Sequence, residues 1–241
     1  TKAGVKAHTV IDLRGCIPVF LSITEARVND LNLLGEIALP EHATVVLDRG
    51  YIDFARLHGL TQRKINFVVR SRGNLRHRVI TEFDVDQTTG LRADQRITLT
   101  QPMSLKKYPD QLRRVEFYDD IHRTDLAFLT NRWDLSALTV ANIYKQRWQI
   151  ELFFKWLKQN LSIKHFFGNS INAVKSQIWI AVCVYLTTLI AHKSLKLDVS
   201  LRLFLHLVEV NMFEKMSITD MVKTAQSAEP DPALDSQIEL I

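Results

Sequence analysis

The chain is short of the residues that staple or loosen a fold. Only two cysteines, Cys16 and Cys183, occur in 241 residues. They lie far apart in unrelated contexts, so neither a disulfide framework nor a cysteine-based zinc site can be built from them, and a reducing, intracellular setting is the natural reading. Eight glycines and six prolines exclude a collagen-like or low-complexity chain. The most apolar run, Ile178 to Ile190, is about a dozen residues against the roughly 20 that a membrane span needs. It reads as a buried helix. The eight histidines show no paired metal spacing, and there is no Gly-x4-Gly-Lys phosphate loop, dinucleotide fingerprint or Gly-x-Ser-x-Gly elbow. An initiator methionine is lacking too: the chain opens Thr1-Lys2-Ala3-Gly4 and runs straight into strand-like sequence, the expectation for a piece of something longer.

What is present is an ordinary globular composition, 46% hydrophobic and 24% charged, which excludes a disordered or fibrous chain. The formal charge of +5 is unevenly spread. Acidic residues are missing from Phe54 to Thr81, where Arg56, Arg63, Lys64, Arg70, Arg72, Arg76 and Arg78 fall. The tail reverses the sign with Glu229, Asp231, Asp235 and Glu239. A basic middle suits a polyanionic partner, and equally a solvated basic face.

Residues 5–13 and 16–24 are two β-rich runs joined by Arg14-Gly15, a hairpin signal. Asp30 to Leu39 has helical spacing and ends at Pro40. Thr44-Val45-Val46-Leu47-Asp48 is the pattern of a buried strand whose carboxyl end opens onto a site. A helix is predicted over 51–62 and a second buried strand over 65–70. Short alternating runs follow at 78–81, 96–100 and 114–118, the pattern of a β-rich insertion. An apolar strand at 126–130 leads into one long helix over about 136–161. Two more helices, near 171–193 and 199–215, and a frayed tail complete the reading.

The long helix carries the strongest signal. At about 100° per residue, Tyr144, Arg147, Glu151 and Lys158 fall within roughly 60° of one another. Ile143, Ile150, Phe153, Phe154, Leu157 and Leu161 form an adjacent apolar face. Glu151 then sits at the border between core and cleft. Periodicity alone is also satisfied by an amphipathic helix whose Glu151 pairs with Arg147 and Lys155 at i,i+4.

The order Tyr144-x2-Arg147-x3-Glu151-x6-Lys158 resembles the signature of the insertion sequence 4 family of DDE transposases. Thr44 to Asp53 looks like the segment that bears that family's second catalytic Asp, and Phe67 to Arg72 like the strand entering its β insertion. The resemblance implies an α/β fold, a ribonuclease-H-like mixed sheet flanked by helices, with a β-rich insertion before the Glu helix and extra C-terminal helices. It divides the chain into core (1–72 and 126–165), insertion (73–125), C-terminal helices (166–227) and tail (228–241). It implies catalytic carboxylates, Asp48 and Glu151 among them, holding two Mg²⁺ ions, with Mn²⁺ as a substitute, to stabilise the attacking and leaving oxygens of a phosphoryl displacement. Tyr144, Arg147 and Lys158 would hold DNA phosphates, with Lys155, Arg49, Arg70 and Arg72 extending the set.

By the same resemblance the partner is double-stranded DNA, both element ends and target, bound by a homodimer in the bacterial cytosol at the nucleoid. One departure stands out. The family's first Asp belongs on a strand before the hairpin, yet Asp12 is the earliest carboxylate and matches the second strand, so the first Asp is expected upstream of Thr1. A remnant that binds DNA without cutting it, or a related nuclease that does not transpose, are the alternatives.

Overall fold

The computed structural model describes residues 5–28, 37–161, 163, 166–168 and 170–227. Among these, two compact units divide at Ile150 and Glu151. Most of the helix expected over 30–39, and the acidic tail, lie outside the described residues.

The first unit opens with a hairpin of β1 (Val5–Asp12) and β2 (Ile17–Glu25), an antiparallel sheet of its own. Its turn needs a left-handed residue, and Cys16 rather than Gly15 takes it, at φ 54°. The main sheet has six strands in the order β3 (Thr44–Leu47), β4 (Asn66–Arg70), β8 (Thr124–Thr130), β7 (Leu112–Asp119), β6 (Leu91–Leu99) and β5 (His77–Phe83). It is mixed: β3 and β4 run parallel, and every other pair is antiparallel.

Helices cover both faces of this sheet, and side-chain alternation along the strands shows how. On β4, Phe67 and Val69 join Leu129, Ile97, Leu99 and Leu112 in a core closed by α1 (Phe54–Gln62) and by Tyr108, at the end of α2 (Pro102–Lys107). Val68, between them, points the other way and joins Val115, Phe128 and the apolar stripe Ala137, Val140, Ala141 and Tyr144 of α3 (Ala137–Lys145). A strand buried on both faces must be apolar at consecutive positions, which is why Phe67-Val68-Val69 shows no polar alternation.

Local chemistry sets the element ends. Asp53 caps α1 by accepting from the Arg56 amide at 3.1 Å. Ser136 caps α3 through the Thr139 amide at 3.1 Å. The single long helix expected over 136–161 is instead broken: α3 gives way to a 3-10 turn at Gln146–Trp148, and α4 (Gln149–Asn160) follows. A 3-10 turn advances the chain faster around the axis than an α-helix does, so the calculated angle across Tyr144, Arg147 and Glu151 does not carry through it. The short helix α2 has no counterpart in the sequence reading.

The second unit holds α5 (Ile171–Ser194), α6 (Leu201–Val210) and α7 (Ile218–Ser227) after α4. Tyr185 of α5 meets Phe153 and Trp156 of α4 edge-on, with ring centroids 4.9 and 5.0 Å apart. A turn after Ser194 is tied by His192 Nε2 to the Val199 carbonyl at 2.6 Å. At 24 residues α5 is longer than the apolar run within it and passes a length-and-composition test for a membrane span. The core helix of a soluble protein passes the same test, and α5 buries Ile178, Ala181, Val182, Tyr185 and Leu189.

Candidate active site

Asp48 is placed by β3. Val46 packs against the α3 side of the sheet and Leu47 against the opposite side, so by alternation the next residue returns to the α3 side. The parallel register pairs Leu47 with Val69. One step further along each strand come Asp48, just past the end of β3, and Arg70, the last residue of β4, still paired with Phe128 of β8. Arg70 follows Val68 and Val69 on the same alternation, so it too is directed to the α3 side.

Tyr144 closes the site from above. Its ring lies against Phe128 of β8, centroids 4.6 Å apart, and its hydroxyl donates to Asp48 Oδ1 at 3.2 Å. The same oxygen accepts the Arg49 amide at 2.8 Å. Arg147 sits with its guanidinium carbon 5.8 Å from the Tyr144 ring centroid. Burial pushes the Tyr144 hydroxyl above its ordinary pKa, the Asp48 carboxylate adds to the rise, and the charges of Arg147 and Arg70 oppose it. Tyr144 is therefore a neutral donor at physiological pH. One carboxylate, two guanidinium groups and one neutral hydroxyl thus meet where two strands end, the edge at which open α/β sheets hold ligands.

The other residues singled out by sequence stand as follows. Arg49 is exposed beside Asp48, and Arg72 is exposed with Nη2 3.5 Å from the Ile52 carbonyl. Glu151, half-buried in the first turn of α4, begins the second unit, and Lys155 and Lys158 are exposed on the same helix. Asp12 is held in a two-pronged pair with Arg14, at 3.1 and 2.7 Å, a local turn contact. Lys107 and Ser104 stand on α2, a helix absent from the sequence reading, for which Pro102 at its first turn was the available signal.

Does Asp48 suit a divalent cation? A carboxylate offers the hard oxygen that Mg²⁺ prefers, and both hydrogen bonds to it fall on Oδ1. Among the described residues, however, no group of three His, Cys, Asp or Glu side chains lies together. Asp48 fits as one ligand and does not make a site by itself.

Residues 1–187 match the family model described as Transposase DDE domain. Three relatives agree with it. "Putative transposase y4zB" of Sinorhizobium fredii is 32% identical over 222 residues, 89% of this chain and 61% of that protein. "Probable transposase for insertion sequence element IS5377" of Geobacillus stearothermophilus is 28% identical over 185 residues, 76% of this chain and 48% of its own length. "Putative transposase for insertion sequence element IS4SA" of a Synechocystis strain is 25% identical over 192 residues, 76% and 52% of the two chains. This chain therefore spans about half to three fifths of the length of the relatives it matches.

Proposed function

The chain belongs to the DDE transposase family, and from that membership we propose that it forms part of the catalytic region of an enzyme that cuts DNA at the ends of a mobile element and joins them to a target. The observation that carries the reading is the meeting of Asp48, Tyr144, Arg70 and Arg147 at the carboxyl ends of β3 and β4. Carboxylates repel phosphate, so a lone Asp48 would be a poor place for DNA. The two guanidinium groups beside it change the sign of that field and can fork onto phosphate oxygens.

In this reading Arg147 and Arg70 hold the phosphates flanking the scissile bond, and Tyr144 and the Arg49 amide fix the rotamer of Asp48 by donating to one of its oxygens. Its other oxygen remains directed at the substrate. The low-dielectric floor formed by Phe128 and the Tyr144 ring strengthens each of these interactions. Asp48 and Glu151 are the carboxylates we assign to divalent cations, Mg²⁺ or Mn²⁺, two per site. Such ions would supply charge neutralisation for the attacking and leaving oxygens. Lys155 and Lys158 of α4 complete the phosphate-binding set.

The parallel β3–β4 pair, its neighbour β8 and the helices on both faces are what support a ribonuclease-H-like core made of 1–72 and 126–165; the strands β5, β6 and β7 of the insertion over 73–125 extend the same sheet, and C-terminal helices follow over 166–227. Joining two element ends calls for two copies, hence a DNA-bound homodimer in the cytosol. The test is substitution at the carboxylates. In the full-length protein, Glu151→Gln and Asp48→Asn should each abolish metal-dependent cleavage of a duplex carrying the element's ends and leave DNA binding in place. Cleavage that persists in either variant removes that carboxylate from the site.

A further inference from the structure

The loop that follows Asp48 has a second side. After the 3-10 turn Arg49–Tyr51, Ile52 inserts into the core on the α1 face, opposite α3. There, a cavity of about 240 Å³ opens between Ile52, the start of α1, the segment Arg72 to Arg76 and the helix α2. Its cations are Arg72, Arg76 and Lys107, and Asn74, Gln101 and Ser104 add neutral polar groups. Asp53 also lines it, but this carboxylate is engaged as the cap of α1, accepting the Arg56 amide.

Two features make the cavity more than a basic surface. The three cations come from two separate segments, one after β4 and one on α2, and converge on one concavity. None of them forms an ion pair among the described residues, whereas Arg14, Arg113, Arg114 and Arg132 each have a carboxylate. Arg72 is nonetheless anchored, its Nη2 lying 3.5 Å from the Ile52 carbonyl, so part of the guanidinium is positioned while its other N–H groups remain to donate.

We infer that this cavity is a subsite for a DNA backbone phosphate, with Arg72, Arg76 and Lys107 as its cations and Ser104 and Asn74 as neutral donors. The inference rests on the proposed function and deepens it by naming a phosphate contact on the side of the Asp48 loop away from Tyr144. Its reach is limited. Asp53 is five chain steps beyond Asp48, at most about 18 Å of extended chain, or roughly five nucleotides at about 3.4 Å of rise each. The subsite would therefore take a phosphate within a few nucleotides of the bond at Asp48, and the strand would cross the sheet edge between them. Free inorganic phosphate shares the same chemistry, so the experiment separates the two sources.

The test is the salt dependence of duplex binding by the whole chain. Each phosphate neutralised contributes a slope of about 0.9 in log K against log salt, so Arg76→Gln with Lys107→Gln, which strips the single phosphate of two of its three cations, should lower the slope by up to about 0.9. The charge-keeping pair Arg76→Lys with Lys107→Arg should restore it, which a fold defect would not. The control pair Lys215→Gln with Lys223→Gln, two exposed lysines of the second unit, should leave it unchanged. An unchanged slope in the first pair, an equal fall in the control, or no rescue by the charge-keeping pair overturns the subsite while the proposed function stands. Inorganic phosphate bound in calorimetry by the wild type, with the duplex slope unaffected by the first pair, likewise overturns the DNA assignment. If the wild-type chain itself fails to bind duplex, the proposed function and the subsite fall together.

Discussion

The hydroxyl of Tyr144 donates to Asp48 Oδ1 at 3.2 Å across 96 positions of sequence. A helix residue thereby holds the rotamer of a strand-end carboxylate, and its ring is kept in place by Phe128. Outer partners that orient metal-binding side chains are worth about 10–100-fold in activity or metal affinity. Tyr144→Phe keeps the ring contact and removes only the donor. The expected result is a loss of cleavage within that range, with stability lowered by no more than about 1 kcal/mol, the contribution of one hydrogen bond, and the Mg²⁺ or Mn²⁺ concentration for half-maximal cleavage shifted upward. Wild-type cleavage with an unshifted metal requirement would count against the positioning role.

Arg113 and Asp94 form the buried ion pair of the sheet, with Nε and Nη2 of Arg113 at 2.8 and 2.7 Å from the two carboxylate oxygens and side chains 7% and 8% exposed. The third nitrogen, Nη1, reaches the Leu135 carbonyl at 2.6 Å, just before the Ser136 cap. Breaking such a pair from one side leaves an uncompensated buried charge, at about 3–5 kcal/mol. Arg113→Met should destabilise by that order in urea unfolding. Asp94→Leu combined with Arg113→Met should recover much of the loss, because no charge is then left buried. A double variant as unstable as the single one would contradict this account.

Alkaline pH should act through Tyr108. Its side chain is fully buried, and its hydroxyl lies 3.0 Å from Thr61 Oγ1. Burial raises the pKa, the Thr61 hydrogen bond opposes that, and Asp110 adds to it. A folded-state pKa above the unfolded value means that the contribution to stability is intact below the unfolded value, about 10, and is lost as pH rises from there through the folded pKa. Unfolding free energy measured between about pH 8 and 11 should fall less steeply in Tyr108→Phe than in the wild type. The variant should lose about 1 kcal/mol at neutral pH for the missing hydrogen bond. Parallel alkaline slopes in the two proteins would rule out Tyr108 as the source.

Much of the fold could be read from residues alone, for identifiable reasons. Consecutive apolar residues at Val45 to Leu47 and Phe67 to Val69 have one stable home, a strand covered on both faces, and the structure places both there. A short carboxylate just before a helix satisfies a free amide, and Asp53 does so for Arg56 at the start of α1. The unbroken helix over 136–161 was misread, because the 3-10 turn at Gln146–Trp148 costs little in local propensity and leaves no glycine or proline to mark it. The helix α2 went unread because six residues are too few to show a period.

The sequence by itself determined the two buried strands, the carboxylate that ends one of them and the motif that identifies the family. All of these are local patterns of polarity and order. Only the tertiary structure decided that Tyr144 donates to Asp48, that Arg70 stands at the same sheet edge, and that Arg72, Arg76 and Lys107 converge on one cavity. Those relationships depend on strand register and on which face of the sheet each helix covers. The pairing energies that set them are summed over residues scattered through the chain, and no single stretch of sequence contains them.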